Sequence, residues 1–358
     1  PGNNLFSESI VAVDVKTGVR KWHYQLVHHG MWDMDIPCAA ILTDITVNGR
    51  TVKALAQPTK QAFLYVLNRE TGEPIWPFEE RPVPRGDTPG EWYSPTQPFP
   101  TRPPAYDGQG LTIDDLLDFT PELREQARQV VAKYRIGPMF TPPSVSRAEG
   151  PIATLTMGAQ AAASNWPGGS YDPETHTVFV ASQTSIATLG LVPPPAGRST
   201  MAYFQGTVLA GARTTGGSGS SAGSASARDA APAEGSGSSA LSVQGLPLVK
   251  PPYSRITAVD LDKGEFRWQV PFGATPDAIR NHPALKGLTL PPLGRPGNNG
   301  GTLVTKTLLV AGETNFGPTN NGQRGAMLRA FDKVTGKEVG AVYLPAPQTG
   351  SSMTYMIR

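Results

Sequence analysis

Residues 256–268 read ITAVDLDKGEFRW, and this phrase occurs in recognisable form at three other places in the chain. Each copy is an apolar strand followed by a polar turn residue and a TG or KG step. The other copies are IVAVDVKTGVRKW (residues 10–22), LYVLNRETGEPIW (64–76) and LRAFDKVTGKEVG (328–340). A Trp follows the Gly by four residues in every copy except the last, which has Gly340 there. The pattern predicts a β-hairpin with a positive φ at the Gly of the turn.

Repeated hairpins of this kind are typical of an all-β fold built from radially stacked blades. In each unit the returning strand places an indole against the neighbouring unit, so we assign Trp22, Trp76 and Trp268 to packing between blades. The strand pair SYDPETHTVFVASQ (170–183) has the same order of strand, polar turn and strand. The sequence therefore predicts one β-propeller unit over residues 1–358.

The composition supports this fold class and excludes some functions. Gly and Pro account for 39 and 36 of the 358 residues, which favours short strands and turns over long helices. The 31 basic and 29 acidic residues nearly balance and form no basic run, so we expect no nucleic-acid partner. The sequence has no apolar run long enough to cross a bilayer and no signal-peptide pattern. The single cysteine, Cys38, excludes an internal disulfide and is expected to be a buried apolar residue.

Two stretches interrupt the repeats. Residues 101–150 form a helical and loop excursion, in which Thr120 is the predicted N-cap of a helix that starts at Pro121. One face of this helix is apolar, and it consists of Leu123, Ala127, Val130, Val131 and Tyr134. Residues 205–245 are rich in Gly, Ser and Ala, and we expect them to be a disordered insertion because they cannot bury enough apolar surface to fold.

Five longer stretches resemble the quinoprotein dehydrogenases that bind pyrroloquinoline quinone (PQQ), in particular the glucose, quinate and shikimate branch. These stretches are NNLFSESIVAVDVKTGVRKWHYQLVHHGMWDMD (3–35), AQPTKQAFLYVLNRETG (56–72), NWPGGSYDPET (165–175), RGAMLRAFDKVTGKEVG (324–340) and LPAPQTGSSMTY (344–355). They occur in the order found in that family, and the resemblance covers nearly the whole chain except the low-complexity insertion.

The resemblance implies a fold and an activity. Members of the family are eight-bladed β-propellers with the quinone on the axis, and this chain has repeats for about four to five blades. The implied function is oxidation of a sugar, polyol or other alcohol with PQQ as hydride acceptor and ubiquinone or a cytochrome c as electron acceptor. We expect a periplasmic protein, with any inner-membrane anchor outside this chain. We also expect residues 1–358 alone to be inactive, because part of the axial site is missing.

The stretch VHHGMWDMDIP (27–37) holds the residues that this resemblance marks for chemistry. Asp33 matches the proposed general base of the family, beside a metal ion that would be Ca²⁺, Mg²⁺ or a lanthanide. Alcohol oxidation requires a proton acceptor, and carboxylates are also ligands for hard cations. Asp35 lies on the same side if the segment is extended, which makes it a candidate second metal ligand. The structural alternative is that both aspartates only stabilise a turn.

Three further residues match family positions that contact the quinone. Lys60, in QPTKQAF, matches the lysine that hydrogen-bonds the reactive carbonyls, where a fixed cation stabilises developing negative charge. Asn165 and Trp166, in SNWPGG, match a dipeptide that helps to hold the quinone. The alternatives are a surface lysine, and a buried Trp beside a turn-capping Asn.

Other features leave the functional interpretation open. We interpret His28 and His29 as loop-packing residues because they have no third ligand at metal spacing. Gly30 departs from the family, which usually has aspartate at this position. The competing function is a non-catalytic propeller scaffold of the outer-membrane assembly type, which would share the blades but would not need Asp33, Lys60, Asn165 and Trp166 to converge.

Overall fold

The structure is a computed structural model that describes residues 2–194, 197, 199–209, 211–212 and 241–356. The predicted all-β class is confirmed, because strands dominate and the described residues contain only two α-helices. The helices are α1 (Pro121–Val131) and α2 (Asp277–Arg280), and the 3₁₀ turns are Ile113–Asp115 and Pro283–Leu285. The strands are β1 (Ser9–Val13), β2 (Arg20–Gln25), β3 (Ile41–Val47), β4 (Arg50–Pro58), β5 (Leu64–Asn68), β6 (Phe78–Pro82), β7 (Thr96–Pro100), β8 (Ser144–Val145), β9 (Thr154–Thr156), β10 (Gly169–Asp172), β11 (Thr177–Gln183), β12 (Ala187–Val192), β13 (Phe204–Thr207), β14 (Gly211–Ala212), β15 (Ser242–Val243), β16 (Leu246–Pro247), β17 (Ser254–Asp260), β18 (Glu265–Pro271), β19 (Thr302–Val304), β20 (Leu308–Gly312), β21 (Ala326–Asp332) and β22 (Glu338–Leu344).

Four antiparallel sheets contain the repeated phrase. Blade I is β1-β2, blade II is β3-β4-β5, blade III is β10-β11-β17-β18 and blade IV is β19-β20-β21-β22. A short fourth segment pairs with β5 in blade II, where the Ile75 N–H donates to the Val66 carbonyl over 2.9 Å. The part of the chain that the structure describes therefore contains four blades of a β-propeller, within the predicted range.

The blades stack through strands that are buried on both faces. The first strands of successive blades are neighbours, since β10 contacts both β3 and β19. Along β11, Val178 and Val180 pack with the core of blade II, whereas Phe179 and Ala181 pack with the core of blade IV. This alternation follows from the two-residue period of a strand. A strand covered by sheets on both sides has a continuous run of apolar residues, as VFVA (178–181) does here.

Each tryptophan of the repeat packs on the turn glycine of the next blade. Trp22 donates its indole N–H to the Arg69 carbonyl over 3.1 Å and lies against Gly72. The other two tryptophans repeat the arrangement, with Trp76 against Gly264 and Trp268 against Gly336. The predicted packing role of the tryptophans is therefore confirmed, and Gly72, Gly264 and Gly336 are required for close approach as well as for the turn.

Two of the turn glycines allow the contribution of tryptophan packing to stability to be measured separately from that of the turn. Gly18 and Gly72 have similar φ values of +70° and +79°, but a Cβ on Gly72 would lie 2.7 Å from the Trp22 ring, whereas one on Gly18 would have no neighbour within 4 Å. Gly18→Ala is expected to cost about 1 to 2 kcal/mol because of its left-handed φ. Gly72→Ala should cost roughly 1 to 3 kcal/mol more because the indole is displaced. Chemical denaturation of both variants tests this, and equal losses would contradict it.

Two excursions leave the blades. The first, residues 77–168, runs from blade II to blade III and contains α1, and its predicted N-cap is confirmed because the Thr120 hydroxyl accepts from the Leu123 N–H over 3.2 Å. The predicted apolar face of α1 packs into the core of the excursion. The second lies between β11 and β17. Residues 213–240, the centre of the predicted disordered insertion, lie outside the described residues. At its borders β13 extends to Thr207 and β15 covers Ser242–Val243, so regular structure begins inside the predicted bounds of 205–245.

The connections between strands divide the propeller into two ends. Because neighbouring strands are antiparallel, the link from the second to the third strand of a blade and the link to the next blade emerge at the same end. We call this end the loop face, and its described part consists of residues 26–40, 59–63, 77–168, 184–194, 199–209, 241–253, 272–301 and 313–325. The TG and KG turns lie at the opposite end. Neither helix in the described residues is long and apolar enough to span a membrane.

Candidate active site

The loop face brings together the three charged residues predicted from the sequence. The Lys60 ammonium donates to the Asp33 carboxylate over 2.8 Å and also to the Asp35 carboxylate. The two aspartates lie between β2 and β3, and Lys60 lies in the turn between β4 and β5. This convergence is what the enzymatic interpretation requires and what the scaffold interpretation does not need.

Alternating burial explains how the loop presents both aspartates. Trp32 and Met34 are buried, and the Trp32 indole N–H donates to the Thr141 carbonyl over 2.8 Å. Asp33 and Asp35 therefore point away from the core, and both reach the same ammonium, as predicted for neighbours two residues apart. Asp33 has a φ of +59°, a conformation that costs free energy for a side chain other than Gly.

The ammonium of Lys60 is almost completely buried, and its side chain is 3% exposed. Burying a cation is costly unless it is paired, and the two carboxylates provide that pairing. An ammonium group has three N–H donors, of which two are used here. The surface-lysine alternative is therefore wrong.

The pKa values of the two carboxyl groups are shifted in opposite directions. Burial, together with the hydrogen bond to Asp35, raises the pKa of Asp33. Burial also acts on Asp35, but the hydrogen bonds from Asp33 and Lys60 outweigh it and lower the pKa of Asp35. When neighbouring carboxyl groups are separated in this way, the group with the higher pKa is the better proton acceptor. On this ground Asp33 is the better candidate base of the pair.

Asn165 and Trp166 lie on the same face without touching this cluster. Their loop packs beside the aspartates, since the Gln160 N–H donates to the Asp33 carbonyl over 3.1 Å. The Asn165 side chain accepts from the Trp166 N–H over 2.9 Å, and the Trp166 residue is 76% exposed. The alternative of a buried Trp is therefore wrong, whereas the turn-capping hydrogen bond of Asn165 is present. A role of this pair in quinone binding stays a prediction.

The two histidines before the aspartates tie the loop to the first excursion. The His28 ring contacts the Glu80 carboxylate at 3.0 Å, and the His29 ring contacts Glu91 at 2.9 Å. The Nδ1 atom of His29 also lies 2.8 Å from the Gly2 carbonyl. These contacts confirm the interpretation of both histidines as loop-packing residues.

Glu8 is an acidic group of this site that the sequence did not indicate. Its carboxylate accepts from the Ser7 hydroxyl over 3.4 Å, and burial together with the charges of Asp35 and Asp33 raises its pKa to about 7. No spacing pattern connects Glu8 with the VHHGMWDMDIP stretch, because they meet only when the turn before β1 folds onto the loop after β2. The positive φ of Glu8, +43°, places the side chain there.

The raised pKa of Glu8 predicts a pH-dependent difference between the wild type and Glu8→Gln. An unfolded glutamate ionises near its ordinary pKa of 4.5, whereas Glu8 in the folded chain holds its proton to about 7. The free energy of unfolding therefore falls as pH rises through this window, and above the window it falls no further. Glu8→Gln should match the wild type near pH 4.5 and be more stable at pH 8 by about 1 kcal/mol, allowing for solvent screening. Urea denaturation at both pH values measures this, and equal stability at pH 8 would count against it.

The aspartates do not complete a metal site by themselves. Ca²⁺ takes about six to eight oxygen ligands. In the described residues no group of three or more His, Cys, Asp or Glu side chains could hold a metal ion. The Lys60 ammonium also occupies the position between the two carboxylates. Metal binding by Asp33 and Asp35 stays a prediction.

Comparison with known proteins identifies the family. The family model for the PQQ-type β-propeller domain of glucose, ethanol and alcohol dehydrogenases matches residues 1–358. A probable quinate dehydrogenase (quinone) of Xanthomonas campestris pv. juglandis is 30% identical over 366 residues, which is 99% of this chain and 41% of that protein. The glycerol dehydrogenase large subunit of Gluconobacter thailandicus is 32% identical over 98% of this chain and 45% of its own length. The chain thus spans less than half the length of these curated relatives.

A solved structure supports the fold. The quinohemoprotein alcohol dehydrogenase of Pseudomonas putida superposes with a TM-score of 0.52 at 18% sequence identity, over 99% of this chain and 38% of that one. At this identity the likeness concerns the fold alone. Because the family model matches every residue of the sequence, the chain belongs to the PQQ-dependent family of glucose, ethanol and alcohol dehydrogenases, within its β-propeller domain.

Proposed function

We propose that the protein oxidises a sugar, a polyol or another alcohol with PQQ as hydride acceptor. The observation that carries the proposal is the buried Lys60 ammonium, which is fixed on the loop face beside a carboxylate with a raised pKa. A cation and a base at one place are what the oxidation of a hydroxyl carbon requires.

Asp33 performs the proton transfer in this proposal. Its side chain is 38% exposed, so a substrate hydroxyl can reach it from the loop face. The raised pKa increases its basicity, while the bond to Lys60 keeps the carboxylate oriented. Asp33 accepts the proton of the substrate hydroxyl as a hydride leaves the carbon that bears this hydroxyl.

Lys60 and Asp35 provide the electrostatic stabilisation in this proposal. Bound PQQ would supply the acceptor for the hydride, and the donor set present fits a quinone because carbonyl oxygens accept from an ammonium. In this proposal the third N–H of Lys60 donates to such an oxygen, where a fixed cation stabilises negative charge. Asp35, whose pKa is lowered, accepts from the Lys60 ammonium and holds it in position.

Asn165 and Trp166 would complete the quinone contact. The exposed indole of Trp166 offers a flat apolar surface on the loop face, and the amide of Asn165 keeps its N–H donors. We extend the proposal to a periplasmic protein that passes electrons to ubiquinone or a cytochrome c. The names of the quinate and glycerol dehydrogenase relatives support this class of small substrate.

The test is an assay on the protein at its full natural length. It should be incubated with PQQ and Ca²⁺, and dye reduction should be followed with a panel of alcohols, polyols and sugars. Samples without PQQ or without Ca²⁺ separate the two requirements. The proposal expects PQQ-dependent turnover with at least one substrate class, and tight quinone binding without any turnover would contradict it.

A further inference from the structure

The turn that carries Lys60 is buried and closes on itself. Its neighbours Thr59, Gln61 and Ala62 are each 0% exposed. The Ala62 N–H donates to the Thr59 carbonyl over 3.1 Å, and the Thr59 hydroxyl donates to the Phe63 carbonyl over 2.9 Å. These bonds fix the shape of the turn, but none of them joins it to another segment of the chain.

Residues 106–110 of the first excursion hold this turn from outside. The Tyr106 hydroxyl donates to the Thr59 carbonyl over 2.6 Å and accepts from the Thr59 N–H over 3.0 Å. The Gln109 amide donates to the Gln61 carbonyl over 2.6 Å. The segment is therefore bonded to the residue directly before the lysine and to the residue directly after it.

The same segment is anchored to blade III. The Asp107 carboxylate accepts from the Ser182 hydroxyl over 2.5 Å and from the Thr184 hydroxyl over 2.6 Å. The Gln269 amide donates to the Tyr106 carbonyl over 3.0 Å. Residues 106–110 thus join the lysine turn of blade II to the strands of blade III.

A further set of bonds leads from this segment to the aspartate loop. The Gly110 N–H donates to the Met157 carbonyl over 3.2 Å, and the Met157 N–H donates back to the Gly110 carbonyl over 2.7 Å. In the stretch that follows Met157, the Gln160 N–H donates to the Asp33 carbonyl. Residues 106–110 are therefore bonded to the turn that carries Lys60 and, through one neighbouring stretch, to the loop that carries Asp33.

The hydroxyl of Tyr106 does more than its ring requires. Tyr106 is 1% exposed, and its ring packs with Ala62 and Val180 in the core shared by blades II and III. A phenylalanine ring would fill the same space. Burial raises the pKa of Tyr106, so the hydroxyl keeps the proton that it donates. Without the hydroxyl, the buried N–H of Thr59 would lose its acceptor, and such a group is costly unless the chain moves to satisfy it.

We propose that Tyr106 is a positioning residue for Lys60, and that its hydroxyl holds the peptide groups of Thr59 where the lysine ammonium meets the Asp33 and Asp35 carboxylates. The inference rests on the proposed function for its effect on turnover. It does not rest on that function for the placement of Lys60, which is a property of the fold.

Tyr106→Phe tests the placement of Lys60 before any PQQ is added. The protein at its full natural length is treated with an amine-acylating reagent, and the modification of Lys60 and Lys53 is followed by peptide mass spectrometry. In the wild type Lys60 should react far more slowly, because its side chain is 3% exposed and that of Lys53 is 51% exposed. In Tyr106→Phe the reaction of Lys60 should be several-fold faster, with that of Lys53 unchanged.

Tyr65→Phe is the matched control. Tyr65 is 0% exposed and donates its hydroxyl to a backbone carbonyl, that of Pro98, over 3.2 Å, but this bond does not involve the lysine turn. Labelling of Lys60 should therefore stay at the wild-type rate. An unchanged rate in Tyr106→Phe, or an equal rise in both variants, would overturn the inference.

Gln109→Met provides a milder variant if Tyr106→Phe does not fold. Gln109 is half-buried, and the change removes only its bond to the Gln61 carbonyl. Labelling of Lys60 should again rise, by less than in Tyr106→Phe. If Tyr106→Phe does not fold and Gln109→Met labels at the wild-type rate, the inference is wrong.

Turnover with PQQ separates this inference from the proposed function. Tyr106→Phe should lower the turnover number about 10-fold and weaken PQQ binding, with KM for the alcohol nearly unchanged, because only the lysine is displaced. If the wild type turns over and Tyr106→Phe matches it, the positioning role is wrong and the proposed function stands. If the wild type shows no PQQ-dependent turnover, the proposed function fails, and the labelling of Lys60 alone decides whether Tyr106 positions it.

Discussion

Asp33→Asn is expected to lower turnover at least about 10²-fold in the protein at its full natural length, because the reaction loses its proton acceptor. Asparagine has nearly the same size, and its oxygen can still accept from Lys60, so the fold and quinone binding should change much less. Steady-state dye reduction with saturating PQQ measures the first effect. Titration of bound quinone measures the second.

Two further variants decide how this result is interpreted. Asp114→Asn removes a carboxylate that is 90% exposed and away from the site, and it should behave like the wild type. Asp35→Asn should lower turnover less than Asp33→Asn does, because it weakens the contact with Lys60 but leaves the base in place. Near-normal dye reduction by Asp33→Asn with full quinone binding would remove Asp33 from the mechanism.

The repeat in the sequence predicted the fold because its signals are local. The spacing between the Gly of the turn and the Trp is four residues, and both belong to one hairpin. The consequence is that Trp22 reaches Gly72, and Trp268 reaches Gly336, in the next blade. The convergence of Asp33, Asp35 and Lys60 also follows from the fold, because the links after β2 and β4 emerge at the same end.

The rest of the site depends on contacts between distant segments. His28 and His29 bind glutamates that are 52 and 62 positions away, in an excursion whose path no repeat specifies. Glu8 reaches Gly30 through a backbone turn of positive φ, which glutamate rarely adopts. The family resemblance showed only that Gly30 departs from the usual aspartate. In the structure the Glu8 carboxyl lies against Gly30.

Lys60 links the chemistry of the site to its stability. It is the shared partner of Asp33 and Asp35, and its side chain is far more buried than either of theirs. Without it the two carboxylates would repel each other across a short distance, and the pKa values of both would rise. Exposed carboxylates can be hydrated, so the cost to folding is smaller than the loss of a fully buried pair.

Lys60→Met therefore tests the cation with little change in side-chain volume. Quinone reduction should fall about 10²- to 10³-fold, as when a preorganised donor is removed from a developing oxyanion, and quinone affinity should fall as well. Lys53→Met is the matched control, because Lys53 is 51% exposed and paired with Glu70 at the surface, and it should change neither quantity. Adding Asp35→Asn to Lys60→Met should recover stability by relieving repulsion, but it should not recover turnover because no cation returns. Wild-type reduction and affinity in Lys60→Met would show that the buried ammonium only holds the two loops together.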